Sequence, residues 1–141
     1  MKLFLSFLLI TVTCFRLENQ NLIGYKGTEI KSYMIDNRKD MNPENVVNSK
    51  FIYLKYSDES DSETILFFLD QDSVCQGIRF ICDRLVRNEK IREFNSTCRI
   101  IGENKWIDTL SGRRIIIDLK DDDWSSDFTI GFDKYHADGS N

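Results

Sequence analysis

The chain has one histidine, one proline and no clustered basic stretch, and each shortage removes a class of function. A Ser or Cys nucleophile needs a base that a third group holds in place. The only histidine, His136, falls in the last residues, where a frayed tail holds nothing rigidly, so triad chemistry is not expected. The formal charge is −4, with acids and bases mixed along the chain. Phosphate binding needs a concentrated basic face, so no nucleic acid is expected as a partner. An exported acidic protein could still attract a basic one through electrostatic steering. No phosphate-cradling glycine loop and no dinucleotide fingerprint occur, and the four cysteines lack the two close pairs of a zinc site. No cofactor is implied. Beyond the first residues every apolar run is broken by charge, so no transmembrane segment is expected.

What is present begins with MKLFLSFLLITVTCFRLENQ. One lysine, Lys2, precedes an apolar run from Leu3 to Val12, and polarity returns at Arg16. That layout predicts a secretory signal peptide over residues 1–14, its apolar part shorter than the ~20 residues a span requires. Val12 and Cys14 would serve as the small −3 and −1 residues, releasing a chain that starts at Phe15. A second reading makes Cys14 a lipidated first residue and the chain a membrane-tethered one, although Thr11, Val12 and Thr13 fit a lipoprotein signal poorly. Roughly 125 residues remain, enough for one domain.

If Cys14 is lost with the signal, Cys75, Cys82 and Cys98 stay in the exported chain. An odd count in an oxidising compartment means one bridge and a free thiol, or no bridge. If a single strand carries both Cys75 and Cys82, their alpha carbons lie about 23 Å apart at 3.3 Å per residue. A bridge between them would need a bend at Gly77, and Cys98 could pair with either. The competing reading is that they are buried small hydrophobes.

In chain order, a lead-in segment over residues 15–27 ends in NLIGYKG, and TEIKSYMIDNRKDM predicts a helix with Thr28 as cap and Ile30, Tyr33 and Met34 inward. Asn42-Pro43 marks a loop. FIYLKY, TILFFL and the segment around Ile78–Cys82 predict three strands separated by polar turns. NEKIREFNST predicts a second helix with Asn88 as cap, and further strands follow at Arg99–Ile101 with Lys105–Asp108, at Ile115–Leu119 and at Phe128–Phe132. A shift of fifty residues sets Ile65 on Ile115, Leu69 on Leu119 and Val74 on Trp124, suggesting an internal repeat. Short connections favour antiparallel neighbours with both helices on one face.

The expected fold is therefore α+β: an antiparallel sheet with two short helices, arranged as two helix-plus-three-strand repeats. It occupies residues 28–133, with a flexible tail at 134–141.

The pieces IGYKGTEIKSYM, FIYLKY, FFLDQDSVC, RFICD and GENKWID resemble a group of small exported bacterial domains of uncharacterised function, over roughly Leu22 to Phe132. The resemblance implies an exported α+β domain and brings no catalytic, metal or ligand residues. In outline the repeat is also similar to secreted inhibitor folds that clamp an enzyme, an analogy of architecture alone.

Carboxylates cluster at Asp58, Glu59 and Asp61, at Asp70 and Asp72, and at Asp121, Asp122 and Asp123. Glycosidase chemistry wants two of them about 5 to 9 Å apart in a cleft. Calcium is the sharper reading of such loops, but the EF-hand ligand spacing is missing, and a solvated turn is the competing one. Arg79 and Arg84 lie near Cys82 in sequence and would lower its pKa if they faced it. Asn95-Ser96-Thr97 matches a glycosylation acceptor. Tyr53, Phe68 and Trp106 would form an interaction surface if exposed together, against the alternative that they fill the core. These readings favour an exported, non-catalytic protein-binding module of the bacterial cell envelope. The alternatives are an enzyme using carboxylate or cysteine chemistry without histidine, and a structural component tethered through Cys14.

Overall fold

The computed structural model describes residues 22–46, 50–109 and 112–133. The signal segment, Cys14 and the tail with His136 lie outside the described residues.

Helix α1 spans Gly27–Asn37, and its first turn is closed by Glu29, whose carboxylate accepts the Lys26 N–H at 2.7 Å. Thr28, expected to cap, lies inside the helix. Four strands follow: β1 Met41–Glu44, β2 Ile52–Asp58, β3 Glu63–Leu69 and β4 Cys75–Cys82. Asp83 then caps α2, Arg84–Thr97, by accepting the Val86 N–H at 2.9 Å. The second helix thus begins four residues before the expected Asn88. Four more strands complete the chain: β5 Arg99–Gly102, β6 Lys105–Asp108, β7 Ile115–Asp121 and β8 Ser126–Phe132.

All eight strands form one antiparallel sheet in the order β1-β2-β3-β4-β8-β7-β6-β5. The expectation of an antiparallel α+β fold holds, with four strands after each helix rather than three. The extra strands come from two places. Asn42-Pro43, read as a loop, belongs to β1, an edge strand where a residue without an N–H is tolerated. The region from Arg99 to Asp108 is two strands joined through Glu103 and Asn104, with Asn104 at φ 55°.

Each half is a helix followed by a four-stranded meander, and β4 and β8 join the halves. A uniform shift of fifty residues keeps like faces together but not the register. It would carry the pair Ile65–Phe80 onto Ile115–Ile130, whereas Ile130 lies opposite Ile117. A two-residue slip preserves the inward face, because side chains alternate with period two.

Strand pairing places Tyr56, Ile65, Phe80, Phe128 and Leu119 in one row and Leu54, Phe67, Ile78, Ile130, Ile117 and Trp106 in the next. Both helices cover this face. From α1, Ile30 and Met34 enter the same apolar cluster, and a Cβ on Gly27 would sit 3.0 Å from Leu69 Cδ1. From α2, the Phe94 ring lies 5.5 Å from Phe128 and 5.8 Å from Trp106. The lead-in is part of the fold: Leu22 and Ile23 are fully buried, and Gly24 N–H donates to the Cys75 carbonyl at 2.8 Å. Gly24 has φ +89°, a conformation that disfavours side chains, and Arg113 reaches the Ile23 carbonyl at 2.6 Å.

Candidate functional site

The helices leave the second face of the sheet without a helical cover. Its residues alternate with those of the core, so the register names them. Across the middle, Tyr53 stands opposite Phe68, Phe68 opposite Gly77, and Gly77 opposite Gly131. The row continues from Gly131 to Ile116 and from Ile116 to Ile107, which is buried, so the lane is covered at that end. The adjacent row holds Lys55, Leu66, Arg79, Thr129, Asp118 and Lys105. The face is therefore an apolar lane beside a charged one.

Two glycines directly opposite each other leave the apolar lane without a side chain at its middle. Neither adopts positive φ. A Cβ on Gly131 would meet nothing nearer than the Gln76 carbonyl oxygen at 3.9 Å, and one on Gly77 the Ile130 carbonyl oxygen at 3.4 Å. Glycine inside a strand costs about 0.5–1 kcal/mol relative to alanine. Here the internal packing gives no return for it, at Gly131 in particular. On one side of the gap Tyr53 and Phe68 form a tilted pair, ring centroids 5.8 Å apart and both half-buried.

Beside the gap, Arg79 Nε donates to Asp127 Oδ2 at 2.6 Å. The other carboxylate oxygen, Oδ1, is buried and has no hydrogen-bond partner among the described residues. A buried acceptor left unpaired typically costs about 1–3 kcal/mol.

Of the three aromatic residues singled out from sequence, Tyr53 and Phe68 meet and Trp106 does not join them. Trp106 is 3 % exposed on the helix-covered face, and its indole N–H donates to Asn95 Oδ1 at 2.8 Å. It belongs to the core because it stands opposite Ile117. The same bond occupies the side chain of Asn95, the asparagine of the glycosylation match. The tryptophan that is exposed is Trp124, at 94 %, on the turn between β7 and β8. It was matched to Val74 as an apolar equivalent, and its place after three aspartates was the overlooked signal.

The cysteines do not form the bridge considered from sequence. Cys75 and Cys82 are buried thiols at the two ends of β4, a single strand that keeps them far apart, and neither is bridged to Cys98. Cys98 caps the C-terminus of α2, with its Sγ 3.6 Å from Thr97 Oγ1. Burial, then the neighbouring carboxylates of Asp83 and Glu63, pushes the Cys82 thiol up to about 12. The expected lowering by Arg79 and Arg84 is absent. Burial likewise pushes Cys75 up to about 11. The folded chain therefore holds two protons that an unfolded one releases near pH 8.5–9. Stability is expected to fall as pH rises from about 9 through 12, and Cys82→Ser should flatten that fall. An aromatic disulfide reagent at pH 8 should leave Cys75 and Cys82 unmodified until denaturant is added; rapid modification of the folded chain would contradict these assignments.

The acidic turns are shaped by their own hydrogen bonds. Asp58 accepts from Ser60, Ser62 and the Glu63 N–H. Asp70 accepts from the Asp72 and Val74 N–H groups and from Gln76. Asp121 is held by Arg87 of α2 at 2.7 Å and by Ser126 at 2.6 Å. Among the described residues no group of three or more His, Cys, Asp or Glu is placed to hold a metal ion. No described helix is long and apolar enough to cross a membrane.

The fold and this face define a class: an α+β domain with an eight-stranded antiparallel sheet, helices over one face and a mixed apolar and charged surface on the other. No protein-family model matches the chain, and neither does any curated protein or solved structure.

Proposed function

We propose that this chain is an exported binding module that holds a partner protein against the uncovered face of its sheet. The observation that carries the reading is the gap at Gly77 and Gly131 beside the Tyr53–Phe68 pair. A strip of backbone without side chains admits a partner's main chain closely. Adjacent aromatic rings supply the anchoring area typical of binding hot spots. Arg79, in the adjacent row and held by Asp127, adds a charged group next to the gap. Export rests on the N-terminal layout from Lys2 to Arg16, and the bacterial envelope setting on the resemblance of the exported segments.

One preparation tests both parts. The full chain, carrying a C-terminal tag, is recovered from the envelope fraction of cells with any bound protein. Its N-terminus is expected near Phe15, and a specific protein should accompany the native chain but be lost from Tyr53→Ala/Phe68→Ala. Met1 retained on a cytosolic chain would overturn export, and equal capture by both chains would overturn the assigned face.

A further inference from the structure

A second surface, which shares Tyr53 and Lys55 with the rim of the uncovered face, pairs with a feature of the same chain. At the β1 edge an open groove of about 480 Å³ lies between the C-terminal half of α1 and strands β1 and β2. Its lining includes Met34, Ile35, Met41, Pro43 and Leu54, with Lys31 and Lys39 at its margin. Ile35 is 71 % exposed. Two other cations line it, Arg38 and Lys55, but both are committed: Arg38 to Asp40 and Glu63, Lys55 to Glu44. Lys31 and Lys39 have no ion pair among the described residues, so the margin of the groove keeps two uncommitted positive charges.

The turn between β7 and β8 has the opposite character. Asp122 N–H donates to the Ser125 carbonyl at 2.9 Å, closing a turn that projects Trp124 almost wholly into solvent. Asp121 is tied to Arg87, whereas Asp122 and Asp123 have no ion pair among the described residues. The turn thus presents one large indole beside two carboxylates outside any close ion pair, of which Asp122 also acts at longer range on Arg79. Tryptophan is among the residue types most enriched where interfaces concentrate their binding energy.

We infer that the Trp124 turn of one copy docks into the α1–β1 groove of a second copy. The indole fills the apolar floor, and Asp122 and Asp123 face Lys31 and Lys39. Charge complementarity selects this occupant, since both halves of the match lie on one chain. The two patches differ, so the contact is head-to-tail, and each bound copy still offers a free turn and a free groove. A contact built on one side chain and four charges is smaller than a standard interface, which places the association in the micromolar-to-millimolar range.

Sedimentation velocity of the full chain over that concentration range tests the inference. The average mass should rise with concentration and fall back as salt is raised. Trp124→Ala and Lys31→Glu/Lys39→Glu should each remain monomeric, and both change exposed residues, so circular dichroism should match the native chain. Mixing the two variants is the decisive arm. The first retains an intact groove and the second an intact turn, so together they should form a one-to-one dimer and nothing larger. A blue shift of tryptophan emission should accompany that dimer, because Trp106 is already buried and only Trp124 changes surroundings. A native chain that is monomeric throughout would overturn the inference, as would variants that associate like the native chain or a mixture that stays monomeric. The substitutions leave Tyr53 and Phe68 in place, so these outcomes are read apart from capture at the sheet face.

Discussion

Replacing Phe128 with alanine is expected to lower the unfolding free energy by about 3–5 kcal/mol. The side chain is fully buried and its ring neighbours three others: Phe94 at 5.5 Å, Phe80 at 6.2 Å and Trp106 at 6.4 Å. These neighbours come from α2, from β4 in the first half and from β6 in the second. Phe128 itself stands opposite Phe80 across the β4–β8 junction. The substitution therefore opens a cavity where the halves and the second helix meet. Relaxation cannot close it without moving a strand or the helix, which places the cost in the upper part of the usual range. Domains of this kind have about 5–15 kcal/mol in total, so the loss should be plain in urea unfolding monitored by circular dichroism. Trp124→Ala removes a larger ring and should change stability by less than about 0.5 kcal/mol, because that ring is exposed. Equal losses from the two variants would contradict the assignment of the core.

The second large effect concerns binding without stability. Gly131→Val should leave the fold as stable as the native chain or slightly more so, since a Cβ there meets only an oxygen at 3.9 Å and valine suits a strand. Gly77→Ala is a milder version, tighter because of the Ile130 carbonyl oxygen at 3.4 Å. Both side chains would fill the gap in the apolar lane. Capture of the partner by Gly131→Val should fall at least tenfold, about 1.4 kcal/mol, with unfolding midpoints unchanged or raised. Undiminished capture would mean that the strip serves no ligand. Few positions separate the two properties so cleanly, because most strand substitutions alter both.

The β7–β8 hairpin was legible because it alternates cleanly: Ile115, Ile117 and Leu119 point inward from one strand, Phe128 and Ile130 from the other. The start of α2 was not, because Asp83 caps the helix directly after β4 with no turn residue to mark the change. β1 was concealed by Pro43, which normally argues against a strand and is admitted only at an edge. Trp106 was misplaced for a related reason. In β6 the consecutive residues Trp106, Ile107 and Asp108 are all buried, so a four-residue strand displays no alternation by which to choose a face. The candidate site depended on register, a property of pairs of strands. Tyr53 and Phe68 are fifteen residues apart, and Gly77 and Gly131 more than fifty; nothing local announces that they share one row. The short turns that set this register contain no residue whose identity specifies a two-residue slip.

Hydroxyl-radical footprinting of the chain, free and saturated with the protein it captures, tests most directly whether the uncovered face receives the partner. Tyr53 and Phe68 should lose reactivity on binding, while Leu85, an exposed side chain of the second helix, keeps its own. Protection of Leu85 with Tyr53 and Phe68 unchanged would place the partner on the helices and contradict the account.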